Sequence, residues 1–130
     1  MLLGCKGQFV PKIVDGTKPH SFRAKRKDGR KWKVGDTIQF YENVRQPNMR
    51  KIRLDGVVVG VQEVVMAFLH NSKNKLHMII DGRVIHADEL NEIAIKDGFC
   101  SINEFSLFFF PNQSDKKWQG QLVHWTDLKY

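Results

Sequence analysis

One Asp-Gly pair between two short apolar runs restricts this chain more than any other local feature. Leu76-His77-Met78-Ile79-Ile80 precedes Asp81-Gly82, and Arg83-Val84-Ile85 follows. A two-residue hairpin loop needs positive φ at both central positions, which Asp tolerates and Gly adopts freely, so a β-hairpin is predicted. An isolated hairpin is barely stable in water, so a sheet must be built around it. Further strands are predicted where residues alternate or are β-branched: residues 37–41, residues 51–66 with a bend at Asp55-Gly56 and Gly60, and residues 119–125.

Helical pieces separate these strands. Phe9, Val10, Ile13 and Val14 have helical spacing, with Pro11 in the first turn and Asp15-Gly16 as the stop. Asp88 is placed to cap a helix carrying Leu90, Ile93 and Ala94 that ends near Asp97-Gly98. Ser101-Ile102-Asn103-Glu104 reads as a capping box before Phe105, Leu107, Phe108 and Phe109, with Pro111 as terminator. Five to six strands with two to three short helices predict an α+β fold, a mixed β-barrel or strongly curved sheet. At 130 residues, one domain over residues 1–130 is expected.

Charge is concentrated in one place. Residues 18–33 hold eight of the 21 basic residues and one acid, Asp28, which gives +7. The formal charge of the whole chain is also +7, so everything outside this segment balances to zero. Such a run is either a solvated loop or a site for a phosphate-bearing partner, which clustered cations bind by releasing counterions. Lys25, Arg26, Lys27, Arg30 and Lys31 are the candidate phosphate contacts, residues 25–33 being expected around a hairpin tip, and Trp32 is either a base-stacking residue or part of the core. No apolar run approaches the roughly 20 residues that cross a bilayer. The opening Met1-Leu2-Leu3-Gly4-Cys5-Lys6 lacks the charged region of a signal peptide. Cys5 and Cys100 have no paired spacing, so two reduced thiols and a cytoplasmic location are expected. No residue set has zinc spacing and no phosphate-loop or dinucleotide fingerprint occurs, so neither metal nor cofactor is expected.

The densest stretch is Gly16-Thr17-Lys18-Pro19-His20-Ser21-Phe22-Arg23, followed by Trp32-Lys33-Val34-Gly35-Asp36. The pattern Gly-x-Lys-x-x-Ser/Thr-x-Arg, then Gly-Asp before a strand, resembles the ASCH family of the PUA-like superfamily. The resemblance continues through Ala94-Ile95-Lys96-Asp97-Gly98-Phe99 and Asn103-Glu104-Phe105 to Gly120-Gln121-Leu122-Val123-His124-Trp125. It implies a PUA-like barrel with a cleft, and binding of RNA or modified nucleic acid. One bacterial branch that the chain resembles hydrolyses the acetyl amide of acetylcytidine with a lysine, a threonine and a glutamate. By motif position these fall on Lys18, Ser21 and Asp97. Serine keeps the nucleophilic hydroxyl, aspartate shortens the acid by one carbon, and Pro19 replaces a flexible polar residue.

The residues themselves permit this chemistry. A hydroxyl needs a base to become nucleophilic, and a lysine serves only when its pKa is depressed by burial and by neighbouring cations such as Arg23. Lys18 and Ser21 are three apart and meet on one wall only if the chain turns at Pro19. Plainer roles stand beside these: Lys18 as a phosphate contact or surface charge, Ser21 as a strand or turn hydroxyl, and Asp97 as the polar residue before a helix-ending glycine. Arg23 either pairs with an acid or grips a phosphate. His20 is placed to face the cleft, but a single histidine makes no metal site. Three functions follow: an acetylcytidine-type amidohydrolase, a non-catalytic RNA or DNA module without membrane contact, and an adaptor using the aromatic surface at residues 108–110. A monomer is expected.

Overall fold

The Asp81-Gly82 turn closes as its residue types demand, with φ of +50° and +78°. It joins two antiparallel strands in the computed structural model, which describes all 130 residues. In chain order the elements are β1 (Leu2–Cys5), a 3-10 turn (Gly7–Phe9) running into α1 (Val10–Val14), β2 (His20–Ala24), β3 (Thr37–Glu42), β4 (Arg50–Lys51), β5 (Gly56–Val57), β6 (Gly60–Phe68), β7 (Leu76–Ile80), β8 (Arg83–Ile85), α2 (Ala87–Lys96), α3 (Ile102–Phe109) and β9 (Lys116–His124). The fold is α+β, with nine strands in two sheets and three short α-helices.

The larger sheet has the order β2-β9-β6-β7-β8, and every neighbouring pair in it is antiparallel. The smaller one runs β1-β3-β4, with β5 also on β3 and the β1–β3 pair parallel. Gly60, Gln62, Val64, Met66 and Phe68 of β6 point inward in strict alternation, the period that a half-buried strand imposes. Val64, Met66 and Phe68 join one apolar core that also takes Phe40 from the smaller sheet and Phe99 and Phe105 from the helical side. No helix is long and apolar enough to cross a membrane.

The strand count exceeds the expected five to six for a local reason. β4 and β5 are two-residue pairings, too short to leave a pattern, and β1 and β2 were not predicted as strands. Three of the five β2 residues are buried in succession, His20, Ser21 and Phe22, so no alternation marks it. Two other expectations are corrected. The α2 N-cap is His86, and Asp88 lies inside the first turn, where a carboxylate favours the helix dipole without capping. Residues 25–33 do not form a hairpin tip. β2 pairs with β9, whereas β3 belongs to the other sheet, so this basic segment is the crossing between sheets. The Ser101 cap does form: its Oγ accepts from the Glu104 amide at 3.2 Å.

Candidate functional site

Three separate pieces of chain build one small pocket. The turn after α1 delivers Lys18, whose amide donates to the Lys12 carbonyl at 3.0 Å. β2 supplies Ser21 and Arg23, two residues apart and therefore on one face. The C-terminus of α2 supplies Asp97, its C-cap residue. Lys18, Ser21, Arg23 and Asp97 line a cavity of about 110 Å³ together with Cys5 and Phe9.

Lys18 is 3% exposed and Asp97 2%. The Lys18 ammonium donates to the Asp97 carboxylate (Oδ1, 2.7 Å) and to its backbone carbonyl at 2.6 Å, and lies 4.8 Å from the centre of the Phe9 ring. A cation at the carbonyl end of a helix is favoured by the dipole, and Lys12 repeats the contact by donating to the Gly98 carbonyl at 2.9 Å. Burial pushes the Lys18 pKa below the usual lysine range, aided by Arg23 and opposed by Asp97. Arg23 donates from Nε to the Ser21 hydroxyl at 3.1 Å and from its terminal nitrogen to the Gly4 carbonyl at 3.0 Å. No hydrogen bond joins Lys18 directly to Ser21. Gly98 permits the close approach of these parts. Its φ is +100°, and a Cβ there would sit 2.8 Å from the Phe9 ring that covers Lys18.

A buried polar network stands behind the pocket. His20 is fully buried; its Nδ1 donates to the same Asp97 Oδ1 at 3.0 Å, since a carboxylate can only accept. Its Nε2 meets the Tyr130 hydroxyl at 2.7 Å. The Tyr130 backbone is tied to Gln62, whose Oε1 also accepts from His124 Nε2 at 2.9 Å. Burial, reinforced by His20, lowers the His124 pKa to about 4, and its Nδ1 is left without a partner. Tyr130 is pushed the other way, above its ordinary value, by burial and by Asp97.

The structure therefore gathers the Lys18, Ser21, Arg23 and Asp97 singled out from the sequence, and leaves the other basic residues apart. Lys25, Arg26, Lys27, Arg30 and Lys31 are all exposed on the crossing loop. Asp28 pairs with Arg26 at 3.0 Å and bonds the Arg30 amide, while Lys25, Lys27, Lys31 and Lys33 have no ion pair. Trp32 as a stacking residue is corrected. It is 7% exposed and belongs to the core, because the Gln121 side chain bonds both its amide and its carbonyl and holds it down. The aromatic run at residues 108–110 is mostly packed: Phe110 is buried and Phe109 stacks among Phe22, Phe105 and Trp118.

His20 does not face the pocket but stands buried behind it, and Tyr130, Phe9 and Cys5 carry no local sign of belonging to the site. The one available signal was His20 standing between Lys18 and Ser21; nothing local marks Tyr130, which arrives from 110 residues away. Burial raises the Cys5 thiol, and both cysteines are free. No group of three or more His, Cys, Asp or Glu side chains is arranged to hold a metal ion. No family model, curated protein or solved structure matches the chain.

Proposed function

We propose that the protein is an ASCH domain of the PUA-like superfamily that takes a modified nucleoside, free or within RNA, and hydrolyses its acyl amide. The observation that carries this reading is the buried Lys18–Asp97 pair, sharing a pocket wall with the Ser21 hydroxyl and the Arg23 guanidinium. Two sheets enclosing one core support the PUA-like part of it.

A cavity of 110 Å³ has room for roughly four waters, which suits an acyl group rather than a whole nucleoside. Ser21 Oγ attacks the carbonyl carbon, and its proton passes to the Lys18 amine through a bridging water. The depressed Lys18 pKa keeps a fraction of that amine neutral. Arg23 supplies positive charge where the oxyanion develops. As the C–N bond breaks, the proton moves from Lys18 to the leaving amine, and Asp97 holds the ammonium in line until then. Water then cleaves the acyl-serine, releasing the carboxylic acid and regenerating the hydroxyl.

Acetylcytidine tests this directly. Purified protein is expected to release cytidine, with Lys18→Ala and Ser21→Ala each slower by about a hundredfold or more and Ser21→Thr retaining turnover. Absence of cytidine at high enzyme concentration sinks the activity for this substrate, and Lys18→Ala behaving as wild type sinks the assignment of roles.

A second reading, a non-catalytic RNA or DNA module, draws on a different observation. Four lysines on the crossing loop are unpaired and exposed, whereas the Lys18 ammonium is already satisfied by Asp97. It predicts affinity that falls steeply with salt and depends on Lys25, Lys27 and Lys31. Affinity indifferent to ionic strength excludes it.

A further inference from the structure

A larger hollow than the Lys18 pocket lies elsewhere. A cleft of about 870 Å³ lies between the β7–β8 hairpin, the loop before it and helices α2 and α3, and shares no lining residue with the Lys18 pocket. That volume is in the range of small-molecule sites. Phe68, Met78, Ile85 and Leu90 are buried beneath it, and Leu107, 53% exposed, stands on its lip.

Its charged groups have one sign. No Asp or Glu lines the cleft, whereas Lys73 and Lys75 sit together at the loop end and neither has an ion pair. His77 and His86 add two further nitrogen-bearing rings. Asn103, Ser106 and Gln113 add neutral polar groups to the lining. Phe68 is the one phenylalanine, tyrosine or tryptophan in the lining, and it is 1% exposed.

We propose that this cleft binds an acyl-chain carboxylate. The chain lies on the apolar floor, and the carboxylate is held at the loop end by Lys73 and Lys75. The site is independent of the deacylation reading, since it uses none of the same residues.

Decanoate, kept below micelle-forming concentration, is the probe, titrated into the full chain by calorimetry. Saturable one-to-one binding is expected, with octanoate roughly tenfold weaker for two fewer methylenes. Decan-1-ol, which keeps the chain and loses the charge, and acetate, which keeps the charge and loses the chain, should each bind at least about tenfold more weakly. Lys73→Glu with Lys75→Glu should weaken decanoate about tenfold or more and leave decanol unchanged; both lysines are exposed, so folding is spared. Leu107→Asp should weaken both. Decanol binding as tightly as decanoate overturns the proposal, as does full affinity in the double glutamate variant. A dimer that Leu107→Asp dissolves, with no decanoate bound to the monomer, assigns the cleft to a second copy of the chain and also overturns it.

Discussion

Lys18 and the lysines of the crossing loop come from the same basic segment, yet their surroundings reverse their physics. Lys18 is 3% exposed, and both its hydrogen bonds end on Asp97. Lys25, Lys27, Lys31 and Lys33 are exposed and unpaired a few residues later. A charge taken out of water must be compensated where it stands, so the Lys18 site tolerates little change. Charges left in water are screened and individually worth little, but collectively they attract a polyanion. Position relative to the core, and not charge density along the chain, separates a site able to shift a pKa from a surface able to grip phosphate.

Removing the partner of the buried cation should have the largest effect. Asp97→Ala leaves Lys18 uncompensated and is expected to cost about 3–5 kcal/mol in urea unfolding, whereas Lys27→Ala stays within about 0.5 kcal/mol. Lys18→Met with Asp97→Asn, which keeps an acceptor for the buried His20 Nδ1, should recover most of that loss. If the single and double variants are equally unstable, the ion pair is not what makes the two regions differ.

Acid should separate them next. The folded His124 pKa is about 4, against 6.5 for the free side chain. Between these values the unfolded chain binds a proton that the folded one refuses, so stability is fully present above pH 6.5 and falls as pH drops towards 4. The loss amounts to up to about 3 kcal/mol. His124→Gln should flatten this part of the profile, measured as the difference in urea midpoints between pH 7.5 and 4.5. A variant with the wild-type slope would show that the sensitivity lies elsewhere. The smallest effect on folding, and the largest on association, belongs to the loop. Replacing Lys25, Lys27, Lys31 and Lys33 by Gln should leave the melting temperature nearly unchanged while the salt slope of RNA binding falls by up to about four. An unchanged slope would remove the loop from the binding surface.

How legible these features are in the sequence depends on how local their causes are. The 81–82 hairpin, the Ser101 cap and the close of α2 at Asp97-Gly98 are each decided within a few residues, and all form. β2 was illegible because consecutive burial of His20, Ser21 and Phe22 erases alternation, and its polar members go inward for partners of their own, His20 to Asp97 and Tyr130 and Ser21 to the Arg23 guanidinium. Trp32 could not be assigned for the same reason: the bonds that hold it come from Gln121, 89 residues away. The Lys18 pocket was legible in part, through Lys18, Ser21, Arg23 and Asp97, whereas the larger cleft, built within residues 68–113, has no sequence signature because it is a space between packed elements.

The sequence by itself determined the α+β class, the main hairpin, two of the helix boundaries and the concentration of charge in residues 18–33, because these follow from backbone preferences, periodicity and composition. Only the tertiary structure decided that this charge divides in two. Closing the core over Lys18 demanded a counter-charge from the end of α2, while the rest of the segment had to cross from one sheet to the other through water, where its cations need no partner.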